Sequence, residues 1–257
     1  GVESLRVAVY ISYGPATLPQ FKTWFIGIGV SKYADQKNNL TYAKKDANDL
    51  AAAFSKNTSV QTILITDEQA TKENILAIKQ QLLKQATVND AVIISLSGHG
   101  VVDDEYNFYF ATHDLDFKKP AQKGLSYADI LWLLDSIPAR NKLVLMDACH
   151  SGELDKEEIL GIEELNQHPA DTNVRAMRSG IELLVDENEN KGLGLGSTFQ
   201  LMQELFANIG RGNGATIISA AAGTEFAFEG NKWKNGVFTY CVLKGLTEKL
   251  ADADKNN

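Results

Sequence analysis

The chain has 257 residues, 44% hydrophobic and 23% charged. That is close to the globular average and excludes disordered, collagenous and disulfide-stapled classes. Thirty-three acidic residues against 25 basic ones leave a net charge of −8, a poor balance for gripping phosphate, so no nucleic-acid partner is expected. No apolar run reaches the ~18 residues of a bilayer span, so no membrane role is expected either. Cys149 and Cys241 are the two cysteines and sit in unlike local sequences, which speaks for separate roles and not for a bridge. The first residue is Gly1, as expected of a fragment or a processed chain. The expected location is the cytoplasm.

Residues 1–22 read as a leader or edge strand, with an alternating stretch from Leu5 to Tyr13 followed by Gly14-Pro15 and Pro19. A regular rhythm then begins. Trp24–Val30 has the continuous apolar pattern of a buried strand. Leu40, Ala43, Ala47, Leu50 and Phe54 share the spacing of one helix face. Thr62–Ile65 is a strand, and Thr71 caps a helix running to Ala86. Ala91–Leu96 is a strand that ends in Ser97-Gly98-His99-Gly100. Tyr106–Thr112 alternates like a hairpin strand, and Ser126 caps a helix over Tyr127–Ser136. Lys142–Met146 is a strand that ends in Asp147-Ala148-Cys149-His150-Ser151-Gly152. Gly196–Asn208 reads as a helix, Ala215–Ser219 as a strand, and Gly236–Leu250 as a closing amphipathic helix that places Cys241 in the core. Strands alternating with helices predict an α/β fold with a mostly parallel sheet.

One region departs from this rhythm. Residues 153–191 carry eleven acidic and four basic residues, nearly all of the net charge. Together with the glycines up to Gly196, residues 153–196 read as a solvated insertion, partly helical or mobile, inside a domain spanning 23–251. A polar tail, 252–257, follows.

The two polar strand exits carry the candidate chemistry. In an open parallel sheet ligands bind beyond the carboxyl ends of the strands. Neighbouring strands lie ~4.8 Å apart, so His99 and Cys149 are expected to face one cleft. A thiol is only partly ionised at neutral pH, and a nearby imidazole can take its proton and later return it to a leaving amine. Backbone N–H groups of Gly98, Gly100 and Cys149 are candidate oxyanion donors. His150 reads as structural, and His113 and His168 as solvent-facing. A Gly-x-Ser-x-Gly elbow, a phosphate loop and a His-Glu-x-x-His zinc motif are all missing, and Gly27-Ile-Gly29 lacks the third glycine of a dinucleotide fingerprint.

Ser-Gly-His-Gly followed about fifty residues later by Asp-Ala-Cys-His-Ser-Gly resembles the caspase–hemoglobinase clan of cysteine proteases. Within it the chain is most similar to metacaspases and bacterial caspase-like proteins (peptidase family C14). The resemblance runs from about Trp24 to Leu250. It implies a mostly parallel six-stranded sheet between helices, a His99/Cys149 dyad, and an acidic S1 pocket for Arg or Lys built from Asp46, Ser97 and Asp147. Asp46 and Asp49 also fit a solvated helix face. Ser219 and Glu225 are candidate groove residues, and Glu229 and Trp233 lie nearby. Family linkers are often cut or moved on activation, which makes Lys156, Arg175, Arg178 and Lys191 candidate self-cleavage sites. The expected partners are a protein or peptide substrate and a regulatory domain or protein. No cofactor is required. Calcium activation is an option that Asp186–Glu189 supports only through its oxygen ligands, without the calcium-loop pattern. The competing expectation is a catalytically silent module that uses the same cleft.

Overall fold

A computed structural model describes residues 21–103, 105, 107–148, 172–174, 176–178, 214–220 and 228–248, with the short strands at 172–178 and residue 228 described by backbone alone. The main sheet takes β1 (Thr23–Gly29), β2 (Val60–Thr66), β3 (Ala91–Ser97), β7 (Asn141–Asp147) and β10 (Ala215–Ser219), in the order β10-β7-β3-β1-β2. All four pairings are parallel. Five strands of the expected sheet therefore lie among the described residues. The chain leaves β1 toward β2 on one side and returns to β3 on the other, so the switch point of the sheet falls between β1 and β3.

A four-stranded sheet, β6-β5-β4-β9, stands beyond the exit of β3 and comprises β4 (Gly100–Val102), β5 (Phe108–Phe110), β6 (Leu125–Ser126) and β9 (Ala176–Arg178). The hairpin expected near Tyr106–Thr112 is β4–β5, paired Gly100↔Phe110 to Val102↔Phe108. A third, three-stranded sheet joins β8 (Thr172–Val174), β11 (Phe228–Gly230) and β12 (Asn235–Gly236). Strands β8 and β9 fall inside the acidic stretch read from sequence as partly helical or mobile. Six residues of strand are too short a pattern to stand out from eleven acids.

Helices cover both faces of the main sheet. On one side α1 (Ala43–Phe54) and the closing helix α5 (Val237–Thr247) pack on Phe25, Val60 and Ile93 of the sheet through Leu50, Ala51, Val242 and Leu243. On the other, α2 (Lys72–Gln85) and α4 (Tyr127–Leu134) pack on Trp24, Ile26 and Ile28 through Ile75, Ile78, Leu82, Ile130 and Leu133. The short α3 spans Pro120–Lys123. Thr71 caps α2, and Ser126 with Asp129 forms a capping box on α4, as their sequence positions predict. Asp90 pins the strand bases by accepting from the Lys22 and Thr87 amides and from the Trp24 indole. Among the described residues no helix is long and apolar enough to cross a membrane.

The glycines of β1 face α1. A Cβ on Gly29 would lie 2.5 Å from the Ala43 carbonyl oxygen and 2.8 Å from the Ala47 Cβ, so Gly27-Ile-Gly29 serves close helix–strand packing. Gly29→Ala gains at most about 1 kcal/mol through the unfolded chain but must push α1 outward, at a cost of about 1–3 kcal/mol. The net expectation is destabilisation, read as a lower urea midpoint with an unchanged slope.

Candidate active site

The exits of β3 and β7 leave the sheet at one level, because Ser97 pairs with Asp147. The ladder runs one step further, with the Gly98 N–H donating to the Asp147 carbonyl at 3.3 Å. That bond occupies a donor expected at the oxyanion position and leaves Gly100 as the His-loop candidate. Cys149 and His150 lie outside the described residues. Their chain neighbour Ala148 is fully buried.

His99 is 4% exposed. Its backbone N–H donates to the Tyr33 hydroxyl at 3.0 Å, and its ring Nε2 lies 2.9 Å from the Asn38 carbonyl oxygen. A carbonyl only accepts, so Nε2 carries the hydrogen, and the lone pair of the neutral ring is on Nδ1. The Tyr33 ring lies 5.2 Å from the imidazole, and Phe117 meets it edge-on at 5.8 Å.

Asp46 and Asp147 are both buried, with Asp46 at 0% exposure. Asp46 accepts from the Gly236 amide at 3.0 Å and from Asn235 Nδ2 at 2.9 Å. Asp147 Oδ2 accepts from Thr239 Oγ1 at 2.8 Å. Gly236 is the N-cap of α5 and Thr239 lies in its first turn, so the topology brings both carboxylates to one helix N-terminus, where partial positive charge favours them. Asp49 accepts from the same Asn235. Ser97 is fully buried, and its hydroxyl has no hydrogen-bond partner among the described residues.

Glu229 is buried too, but it serves α1: its two oxygens accept from the Thr41 and Tyr42 amides at 2.6 and 2.9 Å. Ser219 ends β10 half-buried. Trp233 is half-buried. Glu225, Lys156, Arg175 and Lys191 lie outside the described residues, and Arg178 enters only as the backbone end of β9. His113 is half-buried, with Nδ1 2.7 Å from the Lys32 carbonyl oxygen, where a solvent-facing loop was expected.

Cys241 is exposed, against the expectation of a core thiol. Thr239, fully buried, lies two residues before it, and two residues are roughly 200° of helix rotation. Sequence reasoning missed Tyr33, Asn38, Asn235 and Thr239. Only Thr239 left a trace, as a lone hydroxyl in an apolar helical run.

A cavity of about 500 Å³ is lined in part by Lys32, Lys44, Lys45 and Asp67. Lys44 pairs with Asp67 and Lys45 with Asp49, so much of its charge is internally matched. Among the described residues no group of three or more His, Cys, Asp or Glu side chains could hold a metal ion.

A sheet of this order with a histidine and a carboxylate at adjoining exits is the layout of a caspase-type hydrolase. The caspase-domain profile of peptidase family C14 matches residues 25–255. The chain belongs to that family. It is 29% identical over 149 residues to metacaspase-1 of Debaryomyces hansenii, covering 51% of this chain and 32% of that protein. To metacaspase-1 of Candida albicans it is 31% identical over 155 residues, covering 52% and 33%. The chain thus spans about a third of the length of these relatives. A crystal structure of the Geobacter sulfurreducens protein GSU0716 shares the fold, with a TM-score of 0.58 at 19% identity, covering 89% of this chain and 83% of that one.

Thr239→Val keeps the shape and removes the donor to a buried carboxylate. Hydrogen bonds to charged groups contribute about 1.5–3 kcal/mol, so a loss of that size is expected in urea unfolding of the variant.

Proposed function

We propose that the chain is a cysteine endopeptidase that cuts after Arg or Lys and nicks itself within 153–196. The β3–β7 register carries this reading. His99 and Cys149 each lie two residues beyond the paired rung Ser97↔Asp147 of adjacent parallel strands, and His99 is held with its lone pair on Nδ1. In the reaction the Cys149 thiol gives its proton to His99 Nδ1, and the thiolate sulfur bonds to the scissile carbonyl carbon. The Gly100 and Cys149 N–H groups hold the oxyanion. Collapse breaks the C–N bond, and the leaving amine takes the proton from the imidazolium. Water then hydrolyses the thioester and restores the thiol. Thiol and imidazole supply every proton transfer, so the step needs no cofactor.

Asp46 of α1 and Asp147 of β7, with Ser97 of β3, supply the negative site for a basic side chain, which a guanidinium can grip through parallel hydrogen bonds. The self-cleavage reading rests on β9. It pairs in parallel with β4, and its partner rung Gly100↔Ala176 falls one residue after His99, as a peptide added to the sheet edge would. Strand β8 pairs with β11 up to Val174↔Phe228. Residue 175, an arginine, joins the two, which favours Arg175 over Lys156, Arg178 and Lys191 as the cut site.

Two experiments test this. Fluorogenic peptides ending in Arg, Lys or Asp, assayed with and without calcium, should show turnover of Arg and Lys only, and Cys149→Ala or His99→Ala should lose about a thousandfold or more. A preference for Asp would refute the pocket and leave the dyad. If every peptide is inert and the thiol fails to react with a peptide chloromethyl ketone, the silent interaction module is the correct reading. Intact-mass measurement should show the active chain cut after Arg175, with Cys149→Ala and Arg175→Ala whole. All three chains remaining uncut would sink self-cleavage.

A further inference from the structure

The geometry points to Tyr33 as a positioning residue for His99, an inference that rests on the protease reading above. The loop from Val30 to Tyr42 leaves β1 at the switch point of the sheet, beside the exit of β3. Its backbone is tied down at close intervals. The Val30 amide donates to the Ser97 carbonyl at 2.9 Å. The Ser31 and Lys32 amides donate to Asp67 Oδ1 at 2.9 and 3.1 Å. The Tyr33 amide donates to Asn39 Oδ1 at 2.8 Å, and the Leu40 amide closes the loop on the Ser31 carbonyl at 2.8 Å.

Asp67 is the anchor of this loop. It sits at φ 47°, a left-handed conformation that Asp tolerates better than most residues, and its Oδ2 pairs with Lys44 at 2.9 Å. Burial pushes its carboxyl up, but Lys44 and the two loop amides together hold it below the ordinary carboxylate range.

Between these ties the loop presents Tyr33 and Asn38, 3% and 8% exposed, to His99. The Tyr33 hydroxyl takes the His99 N–H, its ring flanks the imidazole, and Asn38 takes Nε2. Phe117 closes the far side, 5.4 Å from the Tyr33 ring. Gly98 leaves the room this needs, since a Cβ there would come within 3.0 Å of the Tyr33 hydroxyl. One loop therefore sets both the backbone and the ring of His99. Tyr33 exchanges no proton and forms no bond in the proposed step. Its contribution is that Nδ1 is already aimed when the thiol arrives, and a small misplacement of such a base is costly.

Tyr33→Phe keeps the ring and removes the acceptor, whereas Tyr33→Leu removes both. Against an Arg peptide, kcat should fall about tenfold for Phe and about a hundredfold for Leu, with KM within about twofold. In the Cys149→Ala chain, nitrogen-15 NMR of His99 should show hydrogen on Nε2 alone. With Tyr33→Leu added, it should show a mixture of both tautomers. Thr71→Ala, which removes a helix cap far from the site, should lose stability and keep kcat. The proposal is overturned if Tyr33→Leu leaves kcat and the tautomer unchanged, or if Thr71→Ala lowers kcat as much as the Tyr33 variants do. The NMR arm needs no turnover, so a chain that cleaves nothing would defeat the protease reading and still decide the role of Tyr33.

Discussion

Seven rungs of parallel pairing, from Ala91↔Asn141 to Ser97↔Asp147, join β3 to β7 at the middle of the main sheet, and the site hangs from the last of them. Side chains alternate across a strand, so a slip of one residue would turn Asp147 away from Thr239 and move the exit of β7 relative to that of β3. The register is protected by what it buries: Val92, Ile94, Leu96, Val144 and Met146 are each 1% exposed or less. Any slip would break this apolar layer, and at roughly 25 cal/mol per Å² of apolar area the layer outweighs any single polar contact at the strand tips. Packing energy gathered along the strands thus specifies chemistry at their ends.

The carboxylates at that edge run against stability. Burying an ionised carboxyl costs several kcal/mol unless hydrogen bonds replace its water. Asp46, Asp147 and Glu229 are all buried, and the replacement comes from segments distant in sequence. Glu229 of β11 takes the amides leading into α1, Asp46 of α1 takes the amide at the start of α5, and Asp147 of β7 takes a hydroxyl in α5's first turn. These bonds tie β7 and β11 to the N-termini of α1 and α5, and α1 to α5. Apolar residues of similar size could pack there at equal or lower cost, so stability alone does not account for acids in these places.

Much of this was legible in the sequence because the signals are local. The strands read as apolar runs, α1 as three- and four-residue spacing, and Thr71 and Ser126 as caps. His99, Asp147 and Asp46 stood out as polar residues at strand tips or in a family-like motif. Asn38 was invisible because it acts through its carbonyl oxygen, which every residue carries. Tyr33 was invisible because its partner is 66 positions away. The placement of Cys241 in the core failed for a related reason. Its segment, Val237–Leu243, is apolar nearly all round, so periodicity could not tell the face that holds Thr239 from the face left to water.

The donors on the two S1 candidates bear on the proposed specificity. Thr239, Asn235 and the Gly236 amide are neutral donors that orient the carboxylates. In a buried site the Coulomb term grows as the effective dielectric falls. An arginine or lysine side chain entering there would meet carboxylates of opposite charge, whereas an acidic one would meet like charge.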